Sequence, residues 1–167
     1  SIPKKKKKDL KPEQILIREN QTGISFEAIF APYLVGSREI RLEDPYIRLP
    51  YQMNLLLEFC SMLMNTKGND EEIILHVVTW NEPDEMIQES TENLNEITET
   101  VFDMGIKMTY EFNPNTHDRF IQSNNGWKII LGRGLDIYQK PEGRFNIAGL
   151  RQDKRQCKSC EITYVKV

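Results

Sequence analysis

The chain has 167 residues, 39% of them hydrophobic and 28% charged, with a formal net charge of −3. That is enough for one domain with a single core; no run of about 18 apolar residues could span a bilayer as a helix, and no apolar stretch near the N-terminus reads as a secretory leader. The charge is uneven: residues 1–11 hold six Lys against one Asp, residues 12–116 six basic against nineteen acidic, and residues 117–167 ten basic against five acidic. An acidic body therefore carries a basic C-terminal third, which can attract the phosphates of lipid or nucleic acid.

Residues 1–14, SIPKKKKKDLKPEQ, read as a solvated Lys-rich linker or tail, because a Lys run repels itself. With no initiator Met, the chain reads as a piece of something longer, and residues 15–167 are expected to form its one globular domain. In TGISFEAIFAPYLVG, Ile24, Ile29 and Phe30 fall at roughly helical spacing, Pro32 disturbs the helix and Gly36 stops it. Ile40 and Leu42 alternate with Arg41 and Glu43 as in a strand, which Pro45 ends. Pro50 opens a helix whose apolar face is Met53, Leu56, Leu57, Cys60, Leu63 and Met64. EEIILHVVTW is a buried strand, with His76 read as a satisfied core residue.

EPDEMIQESTENLNEITETVFDMG predicts a long acidic helix with Met86, Ile87, Leu94, Ile97 and Val101 on its apolar face and Gly105 as its stop. IKMTYEF is a strand, HDRFIQS and WKIILG flank the hairpin turn NNG, and CEITYVKV alternates like a last strand. This order predicts an α/β fold in which one mixed sheet, parallel early and antiparallel late, is flanked by helices. Cys60 fits a helix core. Cys157 and Cys160 form C-x-x-C, but no second Cys/His pair completes a zinc site and the motif precedes a strand rather than opening a helix. No metal and no cofactor are expected, and three cysteines without a disulfide framework suit the cytoplasm.

The residues that raise a question of chemistry are His117, Arg119 and Asn124, spaced H-x-R-x-x-x-x-N. Phospholipase D enzymes carry H-x-K-x-x-x-x-D, with His as nucleophile or general acid, Lys on the phosphate and Asp orienting the site. Here two of three positions are changed, and there is one copy where that reaction needs two histidines. His76 offers no second copy, since Val78 stands at its basic position. The wider words IRLEDPYIR and HDRFIQSNNGWKIILGRGLDIYQKPEGRFNIAG resemble the phospholipase D-like domain of the MIT C-terminal domain family, from about Gly23 to the C-terminus.

The resemblance implies a phospholipase D-like fold without catalysis, binding to anionic phosphoinositide membranes, and self-association as a homodimer. It also implies a parent protein whose upstream MIT domain, not within these residues, binds ESCRT-III proteins in membrane abscission at cytokinesis. Carried over residue by residue, the phosphate- or lipid-binding positions are Arg48, Arg119, Lys128, Arg133, Lys140 and Arg144, with no catalytic residue beyond the degenerate His117, Arg119 and Asn124. Gly132 and Gly134 are read as serving backbone geometry, Trp127 as core, and Asp44 as a cap or an arginine partner. The expected location is cytoplasmic and peripheral on membranes. Two alternatives stand beside this: a phosphodiesterase or nuclease that assembles two His117 residues across a dimer, and a nucleic-acid-binding module of a microbial fusion protein. No basic helix or aromatic-basic ladder supports base reading, so nucleic acid is not the expected partner.

Overall fold

The structure is a computed structural model describing residues 10–80 and 84–167; the Lys run at residues 4–8 lies outside the described residues. Seven strands form one sheet: β1 (Glu13–Ile17), β2 (Glu39–Glu43), β3 (Ile73–Thr79), β4 (Ile106–Phe112), β5 (Phe120–Ser123), β6 (Trp127–Leu131) and β7 (Cys160–Lys166). Their spatial order is β1-β7-β6-β5-β2-β3-β4. β2, β3 and β4 run parallel, and every other pairing is antiparallel. The α/β expectation, parallel early and antiparallel late, is met.

Period-two alternation sorts each strand into an inner and an outer face. Ile40, Leu42, Leu75, Val77, Met108, Ile121, Ile129 and Ile162 are buried in one core with residues of four helices. These are α1 (Phe26–Ile29), α2 (Ala31–Leu34), α3 (Pro50–Thr66) and α4 (Ile87–Phe102). The opposite face carries Arg41, Ile74, His76, Thr109, Gln122, Lys128 and Ile130, exposed or half-buried. Pro50 starts α3 where an N–H is dispensable, and the Gln52 side chain accepts the backbone N–H groups of Arg48 and Leu49, each at 3.0 Å.

Four sequence expectations change. β1 begins at Glu13, inside the stretch read as tail: it pairs antiparallel with β7 from Glu13↔Tyr164 to Ile17↔Cys160, buries Ile17, and its Glu13 accepts the Tyr33 hydroxyl at 3.0 Å. Pro32 does not bend a helix but divides two, lying in the first turn of α2 just after α1 ends. The buried arc of α3 takes in Leu55, Phe59 and Met62 and leaves Leu57 exposed and Met64 half-buried; a helix that packs against α1, α2 and α4 buries more than one stripe. His76 is not a core residue. It stands on the helix-free face, with Nδ1 2.7 Å from Thr109 Oγ1 and Nε2 2.8 Å from Glu111 Oε1.

Candidate functional site: an arginine pair at the carboxyl end of the sheet

The parallel strands β2, β3 and β4 all finish at one end of the sheet. β5 runs against β2 and β6 against β5, so β5 begins and β6 finishes at that same end. Loops after parallel strands are where α/β sheets place ligands, and here three chain segments meet: residues 44–48, 113–119 and 132–136.

Asp44 organises them. Its side chain is 2% exposed; Oδ1 accepts Tyr46 N–H at 3.0 Å and Oδ2 accepts Leu135 N–H at 3.1 Å, tying the loop after β2 to the loop after β6. Burial raises its pKa from 3.8 to about 6, against the opposing pull of those two N–H groups and of the Arg119 guanidinium. Gly134 has φ +65, and a Cβ there would overlap the Asp44 carboxylate. Gly132 lies so close to β7 that a Cβ would stand 2.9 Å from the Glu161 carbonyl oxygen. Both glycines of GRG therefore serve backbone geometry, and Asp44 caps backbone N–H groups as its position before Pro45 suggested, with Arg119 acting on it through charge and not through a direct ion pair.

Two arginines share one aromatic neighbour, Tyr46. The guanidinium carbons of Arg48 and Arg119 lie 5.2 and 5.4 Å from the Tyr46 ring centroid, so one half-exposed aromatic ring holds two cations in place. Arg119 stands one residue before β5 rather than within it, and its carbonyl accepts Leu131 N–H at 2.8 Å, which extends the ladder. Arg133 Nε donates to the Asp136 carbonyl at 3.4 Å, while the Asp136 carboxylate takes the Tyr51 hydroxyl at 2.9 Å and Lys158 Nζ at 3.0 Å.

His117 is exposed on the loop before β5 and has no hydrogen-bond partner among the described residues. Its neighbour Thr116 is buried with its hydroxyl unpartnered. Asn124 is at the other end of β5, where its Oδ1 accepts the N–H groups of Arg38 and Glu39 at 3.0 and 3.2 Å. Asn125 likewise ties the hairpin to the Tyr33 and Val35 carbonyls at 2.7 and 3.2 Å. The spacing H-x-R-x-x-x-x-N thus does not close into one site: His117 and Arg119 are separated from Asn124 by the length of a strand.

The remaining sequence-predicted positions divide. Lys128 lies on the helix-free face, its Nζ 4.3 Å from the Phe120 ring centroid. Lys140 and Arg144 are exposed on the segment between β6 and β7, and Arg144 stacks over Phe145 at 5.6 Å. Trp127 is core, 5% exposed and edge-on to Tyr33. Sequence reading missed Tyr46, Asp136 and Lys158. Cys60 and Cys157 are buried thiols, pushed up to about 12 and about 11 by loss of solvent. Among the described residues no group of three or more His, Cys, Asp or Glu could hold a metal ion, and no helix is long and apolar enough to cross a membrane.

The family model described as the phospholipase D-like domain at the C-terminus of MIT matches residues 23–166. A mouse (Mus musculus) protein, MIT domain-containing protein 1, is 37% identical over 146 residues, which cover 87% of this chain and 58% of the mouse protein. The chain thus spans somewhat over half the length of that relative.

Proposed function

We propose a function from one premise: the chain belongs to the family of phospholipase D-like domains found at the C-terminus of MIT proteins. In this reading it is a non-catalytic domain that binds anionic phospholipid headgroups, phosphoinositides among them, and brings a parent protein to membrane. The observation that carries it is the Arg48–Arg119 pair held on Tyr46 and backed by buried Asp44. Guanidinium groups fit phosphate oxygens two donors at a time. A phosphodiesterase would need a nucleophile and an acid, each held by a partner. His117 has none among the described residues, and both ring nitrogens of His76 are engaged at a different place.

Each basic side chain at an anionic surface contributes roughly 1 kcal/mol, so one copy binds reversibly and a second copy strengthens it by avidity. Self-association would use the helix-free sheet face, where Ile74 and Ile130 are exposed. Through the MIT domain of its parent, the membrane-bound dimer would serve ESCRT-III-linked abscission. Co-sedimentation with phosphatidylcholine vesicles, with and without phosphatidylinositol phosphates, is the test. Binding should require the anionic lipid and fall at least about tenfold in Arg48→Glu/Arg119→Glu. Binding that ignores headgroup charge, a phosphodiesterase activity lost in His117→Ala, or a strictly monomeric 19.6 kDa mass would each remove the corresponding part of the proposal.

A further inference from the structure

Phe145 and Leu150, 93% and 84% exposed, are the most exposed large hydrophobics among the described residues, and Ile147 between them is 59% exposed. Isolated exposed apolar residues are ordinary, but three within six positions of one loop are not. The loop is also rigidly held. Asn146 Oδ1 accepts Ala148 N–H at 2.9 Å, its Nδ2 donates to the Glu142 carbonyl at 3.0 Å, and the Ile147 carbonyl accepts Leu150 N–H at 2.9 Å.

Arg155 braces the turn from beneath. It is 9% exposed, its Nε donates to the Ala148 carbonyl at 2.6 Å and its Nη2 to the Gly149 carbonyl at 3.2 Å, while Nη1 pairs with Glu58 of α3 at 2.8 Å. The guanidinium also covers the Tyr138 ring at 5.4 Å. A buried cation spent on two loop carbonyls fixes Ala148 inward and leaves Phe145, Ile147 and Leu150 projecting outward.

The surroundings of this tip are basic. Lys140, Arg144, Arg151 and Lys154 flank it in the chain and outnumber the carboxylates Glu142 and Asp153; Arg151 pairs with Asp153, and among the described residues Lys140, Arg144 and Lys154 have no carboxylate within salt-bridge distance. Apolar side chains ringed by cations match the boundary between acyl chains and anionic headgroups. A second copy fits less well, because a two-fold contact at this loop would bring two copies of the same net-basic surroundings together. A groove of about 790 Å³ joins the loop to the start of α3, with Tyr51 and Leu55 on one side and Lys140 and Leu150 on the other. Tyr51 in turn reaches Asp136 and the arginine end of the sheet.

We infer that residues 145–150 are an interfacial insertion loop: Phe145, Ile147 and Leu150 enter the acyl boundary of an anionic phospholipid leaflet while Lys140, Arg144 and Lys154 stay among the phosphates. This rests on the membrane-binding reading and adds an apolar anchor to it. The test uses the 167-residue chain with mixed phosphatidylcholine–phosphatidylserine vesicles. Phe145→Ser/Leu150→Ser should weaken binding about tenfold or more with an unchanged melting temperature, since both side chains are solvent-exposed. Phe145→Trp should gain blue-shifted emission, quenched by brominated acyl chains, above the Trp80 and Trp127 background. Wild-type protein that ignores these vesicles would overturn the membrane reading and the loop with it. Wild-type binding unaltered in the double Ser variant, Phe145→Trp emission unmoved on bound vesicles, or a double Ser variant that turns from dimer to monomer while keeping its lipid affinity would overturn the insertion loop alone.

Discussion

Asp44 is a carboxyl group removed from water, and its cost depends on pH. Its pKa is about 6 in the folded chain against 3.8 in its ordinary state, so between those values the folded chain holds a proton that the unfolded chain has released. Stability from this group is therefore highest below about pH 4 and declines as pH rises toward and past 6, by about 3 kcal/mol for a shift of this size. Asp44→Asn cannot titrate. The wild-type unfolding free energy, measured relative to Asp44→Asn by denaturant titration, should fall by about 2 kcal/mol from pH 4 to pH 7. A difference that stays flat would mean that Asp44 is not buried as described. The ionised form is the one that attracts Arg119, so the charge that costs stability at neutral pH is also the one that acts on this guanidinium.

At the scale of elements, β1 protects the edge of β7. Deleting residues 1–17 would strip five rungs of pairing and the burial of Ile17, and one large apolar side chain alone is worth about 1.5–3 kcal/mol. The deletion should lower the unfolding free energy by at least about 2 kcal/mol, read from the denaturation midpoint; an unchanged midpoint would make β1 dispensable. This strand was illegible in sequence because Glu13–Ile17 follows a Lys run and alternates only weakly. Strands β2 and β4, the β5–β6 hairpin and the start of α3 were legible, since Ile40/Leu42 alternation, NNG and Pro50 are local signals. Local signals do not say which chain ends meet. Nothing in the spacing of His117 and Asn124 reveals that β5 holds them apart, nothing local brings Arg48 to Arg119 across Tyr46, and nothing local marks Arg155 for burial.

The whole molecule places its basic residues on more than one surface, although the sequence presents them as one basic third. Arg48, Arg119 and Arg133 occupy the carboxyl end of the sheet. Lys140 and Arg144 lie on the exposed segment that leads into the 145–150 loop, and Lys140 lines the groove together with Tyr51, which reaches Asp136. Lys128 is different: it stands on the helix-free face and is held over Phe120. A flat bilayer that receives the 145–150 loop and the sheet end does not also reach the middle of the opposite face. Lys128→Glu should therefore bind anionic vesicles within about twofold of wild type, whereas Lys140→Glu and Arg144→Glu should each weaken binding about fivefold, the effect of roughly 1 kcal/mol per basic side chain at such a surface. Raising salt from 0.1 to 1 M shortens the Debye length from about 10 to about 3 Å, so it should shrink the Lys140 and Arg144 effects and leave the Phe145 and Leu150 contribution standing. Vesicle titrations of the three charge-reversal variants at both salt concentrations decide it. A Lys128→Glu loss equal to that of Arg144→Glu would put the membrane on the helix-free face and require self-association to use a different surface.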